Sequence, residues 1–246
     1  MSRSGQPPAQ SGLVAAADPG SPAGLDAVLQ AVMFDMDGLL VDSEPLWFEA
    51  ENAVMGRLGG AWSAADQHVL VGGSMETTVG YLLSKAATPA EPAAVAAWLV
   101  AEMVGLLSAR PLPVLPGTLD LLAEVRSAGL PHGLVTSSEP EIVSAVLGRL
   151  GAGTFPVVVC AADVAHAKPD PEGYLLAAAR LGAEPGSCIA LEDSRNGVTA
   201  AETAGYRVVA VPSVVPVPGR PGRPVLSSLA GVTLAELAAL TGLRLP

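Results

Sequence analysis

"MFDMDGLLVDSE", residues 33–44, sets two carboxylates, Asp35 and Asp37, directly behind the apolar run 31–34, with a third, Asp42, a few residues on. Bare carboxylates at the end of an apolar strand have two explanations. Asp and Gly favour tight turns, and clustered carboxylates hold hard cations or act on phosphoryl groups. The Asp-x-Asp pattern alone leaves the two evenly balanced, so the surrounding chain decides.

Working outward, "AVLQAVMF" (27–34) has the continuous apolar character of a strand buried on both faces. The texture then changes. "PLWFEAENAVMGRL", "SAADQHVLV", "SMETTVGYLLSKAA" and "EPAAVAAWLVAEMVGLLSA" carry helical spacing and helix-start signals at Ser63, Ser74 and Pro92. "RPLPVLPG" (110–117) reads as a linker. Beyond it, strands ("PHGLVTSS", "FPVVVCAAD", "SCIALED", "YRVVAVP") alternate with helices ("TLDLLAEVRSAG", "EPEIVSAVLGRLG", "DPEGYLLAAARLG", "SRNGVTAAETAG"), and "TLAELAALTG" is a terminal helix. The alternation predicts an α/β fold: a Rossmann-like parallel sheet covered on both faces, with an α-helical domain inserted after its first strand. The expected boundaries are a disordered tail over 1–28, the sheet domain over 29–44 and 113–246, and the helical insertion over 45–112. Such an insertion hangs over the carboxyl ends of the strands, where open α/β sheets bind ligands, and so can act as a lid.

The charge balance narrows the partners. With 24 acidic and 13 basic residues the net charge is −11, and no Lys/Arg run tracks a phosphate backbone, which argues against nucleic acid. An anionic substrate then needs strong local positive charge from Lys, Arg or a bound cation. Lys85 and Lys168 are the only lysines, so their positions carry information. The two cysteines, Cys160 and Cys188, lie in apolar runs and read as buried free thiols. The amino-terminal residues lack a secretory h-region, and the longest apolar stretch, "AAVAAWLVAEMVGLL", is interrupted by Glu102 and falls short of a membrane span. The expectation is a cytoplasmic protein without a membrane partner, monomeric by default, acting on a small molecule.

The predicted strand ends gather chemistry. The first ends at Asp35 and Asp37, the second at Thr136, Ser137 and Ser138, the third leads into Lys168, and the fourth ends at Glu192 and Asp193. Phosphoryl transfer through an aspartyl-phosphate needs this set. A carboxylate attacks phosphorus, and Mg²⁺ on hard oxygen ligands restrains the charge. Asp35, the Asp37 carbonyl and Asp193 are the candidate ligands. The Thr136 hydroxyl, the Ser137 N–H and the Lys168 ammonium are candidate donors to the phosphoryl oxygens. Asp37 can protonate the leaving oxygen and then take a proton from water. Taken singly, "LVTSS", "KPDP" and "LEDS" read as polar turns or helix starts. Four in order, each at a strand end, do not.

"FDMDGLLVDSE", "LVTSS", "AKPDPEGY" and "LEDSRNGVTAAETAG" resemble the four ordered motifs of the haloacid dehalogenase superfamily, over about residues 31–210. The resemblance implies a small helical cap, Asp35 as nucleophile, Asp37 as acid/base, Thr136 and Ser137 on phosphate, Lys168 neutralising charge, and Glu192 with Asp193 as the acidic pair on the metal side. Dehalogenases of that superfamily lack the second aspartate and need no Mg²⁺, so Asp37 implies a phosphate enzyme. "DMDGLLVDSEPLW" with "LEDSRNG" resembles the β-phosphoglucomutase and 2-deoxyglucose-6-phosphatase branch. Those mutases carry a His where this chain has Trp47, and Lys and Arg where it has Val71 and Met75 around "GGS" (72–74). A mutase must grip a second phosphate, and cations serve that. The balance therefore favours a phosphatase of sugar phosphates over a phosphomutase. Glu44 is a candidate contact for substrate hydroxyls. Trp47 and Phe48 are either core of the insertion or a wall of the site, Gly72–Ser74 either a plain turn or a specificity element, Asp42 and Ser43 the hinge, and His166 a loop residue.

A phospho-accepting receiver also combines Asp, an acidic pair, a hydroxyl and Lys, but it places the acidic pair first and has no inserted cap. The Gly-x-Gly-x-x-Gly turn of a dinucleotide-binding domain is absent.

Overall fold

The computed structural model describes residues 27–151 and 153–246, so the tail expected over 1–28 lies almost wholly outside the described residues. Five strands, β1 (Ala31–Phe34), β2 (His132–Val135), β3 (Val157–Val159), β4 (Cys188–Glu192) and β5 (Arg207–Ala210), form one parallel sheet in the order β3-β2-β1-β4-β5. The apolar run before Asp35 is strand only over its last four residues. Its first half departs from the expectation: Val28 bridges Arg244, and the Leu29 N–H donates to the Arg244 carbonyl at 2.8 Å.

The period-two alternation of each strand sorts two cores. Val32 and Phe34 of β1 and Ile189 and Leu191 of β4 face α5 (Thr118–Ser127), α6 (Pro140–Leu150) and α9 (Leu234–Thr241). Ala31, Met33, Cys188 and Ala190 face α7 (Glu172–Leu181) and α8 (Arg195–Thr203). The second face is built of smaller side chains, which lets α7 and α8 settle close to the strands. Cys188 lies in that face, and both Cys160 and Cys188 are buried and free, as expected.

Four helices fall between β1 and α5: α1 (Glu44–Arg57), α2 (Ala64–Leu70), α3 (Met75–Lys85) and α4 (Pro92–Ala109). Their starts use the expected chemistry. Ser63 and Asp66 form a reciprocal capping box, Ser74 accepts from the Thr77 N–H, and α4 opens on Pro92. Their shared core includes Val54, Leu58, Trp62, Leu82 and Leu99. Among the described residues α4 is long and apolar enough, by length and composition, to cross a membrane. Its buried row, Val95, Leu99, Met103 and Leu107, recurs every four residues, and the helix packs on α1, α3 and α6.

The chain crosses between sheet and helices at two adjacent points. Val41 bridges Val114, the Asp42 N–H donates to the Pro113 carbonyl at 2.8 Å, and the Leu115 N–H donates to the Leu40 carbonyl at 3.0 Å. The strand order turns back on itself at β1, which is flanked by β2 and β4. A crevice at the carboxyl ends of β1 and β4 follows, which is where such sheets bind ligands.

Phe34 is fully buried and meets Phe155 edge-on at 5.7 Å between ring centroids. Truncating Phe34 to Ala should cost about 3–5 kcal/mol of unfolding free energy, read as a fall in the midpoint of urea denaturation. A loss below about 1 kcal/mol would place Phe34 outside the packed core.

Candidate active site

Lys168 sits on the loop between β3 and α7 and reaches back under the strand ends. Its ammonium donates to Asp35 Oδ1 at 2.6 Å, to Glu192 Oε1 at 2.7 Å and to the Val135 carbonyl at 2.8 Å. One cation therefore joins the ends of β1, β2 and β4. Glu192 Oε1 also accepts from the Tyr174 hydroxyl at 2.5 Å, whereas Glu192 Oε2 is buried without a partner among the described residues. The Glu192 carboxylate lies against Gly197 in the first turn of α8, where any Cβ would collide with it. The positive end of that helix suits a carboxylate.

Asp35, Glu192 and Asp193 are all buried, and one carboxylate oxygen from each lies within 4.8 Å of the others. Three acids thus face a single ammonium. Burial pushes Asp35 well above the ordinary carboxylate range, Glu192 adds to the shift, and Lys168 opposes it. Burial and Glu192 push Asp193 to about 7, against the Ser213 hydroxyl, which donates to Asp193 Oδ2 at 2.5 Å. Burial disfavours the Lys168 charge, but Asp35 and Glu192 outweigh it and hold the ammonium above its usual value. The set is hard-oxygen, acidic and under-neutralised, which fits a divalent metal ion. Gly38 has φ +74°, and a Cβ there would collide with the Asp193 carboxylate, so glycine is required on both counts.

Asp37 is held from four sides. Its Oδ1 accepts from Ser43 Oγ at 2.6 Å and Trp47 Nε1 at 3.4 Å; its Oδ2 accepts from Ser138 Oγ at 2.6 Å and Thr136 Oγ1 at 3.3 Å. Two donors come from the hinge and α1, two from the end of β2. The Thr136 hydroxyl accepts from the Ser138 N–H at 3.1 Å.

The cleft has two joined compartments. The inner is lined by Asp35, Thr136, Lys168 and Asp193, the outer by Trp47, Glu51, Leu70, Met75 and Thr78, and both share Asp37, Glu44 and Ser137. Gly72 and Gly73 form a lip common to the two. The Gly72 carbonyl accepts from Asn196 Nδ2 at 2.8 Å, and a Cβ on Gly72 would come within 2.7 Å of Ser194 Cβ, so this turn seats directly on the start of α8. Glu44, half-buried in the first turn of α1, accepts from Gln67 Nε2 on both its carbonyl (2.6 Å) and Oε2 (3.2 Å). Burial, then Asp37 and Asp42, raise Glu44 to about 7. Glu51 accepts from Trp62 Nε1 at 3.2 Å, and burial followed by Glu44 raises it to about 8.

The insertion's cations are spent elsewhere. Arg57 pairs with Glu102, Lys85 with Asp66, and Arg110 grips Glu49 through two bonds of 2.7 and 2.8 Å. None lines the cleft.

Asp35, Asp37, Glu44, Thr136, Ser137, Lys168, Glu192 and Asp193 thus come together at one edge of the sheet. Trp47 proves to be wall and donor at once. Asp42 stays exposed at the hinge, and His166 pairs with Glu172 at 3.3 Å on the surface, outside the cleft. Glu51, Thr78, Tyr174, Asn196 and Ser213 had no sequence-based assignment. For Glu51 a signal exists: Glu44, Trp47 and Glu51 share one helical face at i, i+3, i+7.

The chain matches the family model of haloacid dehalogenase-like hydrolases over residues 29–205. It is 35% identical to hexitol phosphatase B of Escherichia coli (strain K12), over 86% of this chain and 94% of that protein. Among solved structures it resembles CbbY from Rhodobacter sphaeroides in complex with phosphate, at 29% identity and a TM-score of 0.79, over 85% of this chain and 99% of that one. A mutant of the same CbbY, in complex with xylulose-(1,5)bisphosphate, matches with a TM-score of 0.78 over the same shares at 29% identity.

Gly197→Ala should drive the Glu192 carboxylate off Lys168. The variant should be destabilised and lose activity, although alanine ordinarily favours a helix by about 0.5–1 kcal/mol over glycine. Gly148→Ala in α6, where a Cβ meets open space, should show that ordinary gain. Thermal melts of both variants decide it; equal stabilisation would contradict the packing of α8 on Glu192.

Proposed function

The chain belongs to the haloacid dehalogenase-like hydrolases, and on that premise we propose that it is a Mg²⁺-dependent phosphomonoesterase of small phosphorylated metabolites, sugar phosphates foremost. The observation that carries this reading is the joint approach of Lys168 and the Asp35–Glu192–Asp193 cluster, with Asp37 two residues from Asp35. In this reading the segment 45–112 is a cap over a sheet domain of 29–44 and 113–246. The setting is cytoplasmic, consistent with two buried thiols that stay free.

Asp35 Oδ attacks phosphorus, the ester P–O bond breaks, and the leaving alkoxide takes the proton of Asp37. Asp37 then receives a proton from the water that attacks the aspartyl-phosphate, which frees inorganic phosphate and restores Asp35. Lys168 keeps its charge throughout, because two carboxylates hold it, and it offsets the charge on Asp35 and the phosphoryl oxygens. Thr136 and Ser137 stand at the phosphate compartment as donors. Asp35, Asp193 and the Asp37 carbonyl would hold Mg²⁺, with Glu192 as the buried member of the acidic set. When bound, Mg²⁺ supplies the missing positive charge, and it keeps Asp35 and Asp193 ionised despite burial.

A phosphomutase shares the first half of this chemistry but needs a grip on the distal phosphate. Among the described residues no Lys or Arg lines the cleft beyond Lys168, and the resemblance aligns Trp47 with the histidine that the mutases carry. With β-glucose 1-phosphate and Mg²⁺, the enzyme should therefore yield inorganic phosphate or nothing, and added glucose 1,6-bisphosphate should not stimulate isomerisation. A coupled assay that reports robust glucose 6-phosphate formation with little phosphate release would establish a mutase instead.

A further inference from the structure

An ammonium has three N–H groups, and the protein takes all three of those on Lys168: Asp35 Oδ1, Glu192 Oε1 and the Val135 carbonyl accept them. A phosphoryl oxygen can gain a bond from this ammonium only if one of those acceptors gives it up. Of the three, Glu192 Oε1 alone has a second side-chain donor among the described residues, the Tyr174 hydroxyl at 2.5 Å. The other oxygen, Oε2, is buried and cannot compensate, because no donor among the described residues reaches it. Releasing Asp35 would leave a buried carboxylate without its counter-charge. Releasing Glu192 leaves Oε1 still bonded, provided that Tyr174 stays.

The sequence makes room for this hydroxyl. Tyr174, on α7, is among the largest fully buried side chains, and the core that receives it is lined by Ala31, Ala177, Ala190, Ala200 and Ala201. Tyr206 meets its ring edge-on at 5.1 Å between centroids. The Lys168 ammonium lies 5.3 Å from the Tyr174 ring centroid, close enough to be attracted by the ring face. Phenylalanine would fill the same space and offer the same face. The hydroxyl adds a polar group to a dry interior, which costs free energy unless it is bonded. Its acceptor here is the carboxylate that shares Lys168. Packing explains the ring and leaves the O–H to be explained by the site.

We infer that Tyr174 is a positioning residue, whose hydroxyl keeps Glu192 Oε1 satisfied while the Lys168 ammonium turns toward the phosphoryl group. This rests on the phosphomonoesterase reading. The exchange transfers no proton: one N–H of Lys168 leaves Glu192 Oε1 and donates to an equatorial phosphoryl oxygen, while the Tyr174 O–H stays on Glu192. The bond is strongest in the transition state, where charge spreads over the equatorial oxygens, so its gain falls in kcat. Without the hydroxyl, the same turn would orphan a buried carboxylate, and Lys168 would stay on Glu192.

The test compares the wild-type enzyme with Tyr174→Phe and Tyr206→Phe, on p-nitrophenyl phosphate and glucose 6-phosphate, over a range of Mg²⁺. Tyr206 is the control: its hydroxyl belongs to a buried side chain too, but donates to the Tyr174 carbonyl at 2.8 Å rather than to an acid. At saturating Mg²⁺, Tyr174→Phe should lower kcat about tenfold or more and move KM less than about twofold. Orthovanadate, which takes up the five-coordinate geometry of a transferring phosphoryl group, should inhibit this variant about tenfold more weakly. Tyr206→Phe should keep the wild-type kcat and vanadate inhibition. Thermal melts certify that each variant is folded. Four results would overturn the role of the hydroxyl and leave the phosphomonoesterase standing: unchanged kcat and vanadate inhibition in Tyr174→Phe, a loss that excess Mg²⁺ restores, an equal loss in Tyr206→Phe, or a Tyr174→Phe chain that no longer folds. No phosphate release from either ester by the wild-type enzyme would overturn both.

Discussion

One buried ammonium holds this site together. Lys168 touches Asp35 at the end of β1, Val135 at the end of β2 and Glu192 at the end of β4. A charge taken out of water survives only with partners, and removing one partner of a buried pair typically costs several kcal/mol. Much of the surrounding sequence reads as provision for that ion. The parallel register brings the three strand ends level. Tyr174 shares Glu192 Oε1, and Gly197 leaves the space in which the carboxylate lies. Since three acids face the one cation, the site also calls for a second positive charge, and hard oxygens select its type.

Around that centre, the second acid couples the sheet to the helices. Asp37 is gripped by Ser43 and Trp47 from the helical side and by Ser138 and Thr136 from the sheet. The Gly72–Asn196 bond closes the opposite lip of the cleft. A change in the angle between insertion and sheet must therefore disturb both the lip and the acid. The insertion spends its Lys and Arg residues on its own acids, and its wall of the cleft is made of carboxylates, a threonine and apolar side chains.

The fold and the inner compartment were readable because they are written in order along the chain. Strand periodicity puts Asp35, Thr136 and Asp193 at successive carboxyl ends, and a parallel sheet brings such ends to one edge whatever the exact strand length. The first strand is shorter than its apolar run because Leu29 pairs with Arg244, a contact across the whole chain that no local pattern announces. The outer compartment was less accessible for the same reason. Thr78, Gln67 and Glu51 come from three helices whose mutual rotation is set by packing, and Ser213 and Asn196 meet their partners only after the loops close. Glu51 alone left a trace, as the third member of the Glu44–Trp47 face of α1. Trp47 could not be divided between core and site because it serves both.

The central claim is that Asp35 carries the phosphoryl group. Asp37→Asn should slow breakdown of the intermediate; the variant is mixed with substrate and Mg²⁺, quenched in acid and reduced with borohydride, which converts an aspartyl-phosphate to homoserine. Peptide mass spectrometry should then find homoserine at position 35 and nowhere else. Phosphate release by the wild-type enzyme, with position 35 unmodified at every quench time or with the label on Asp193, would contradict the account.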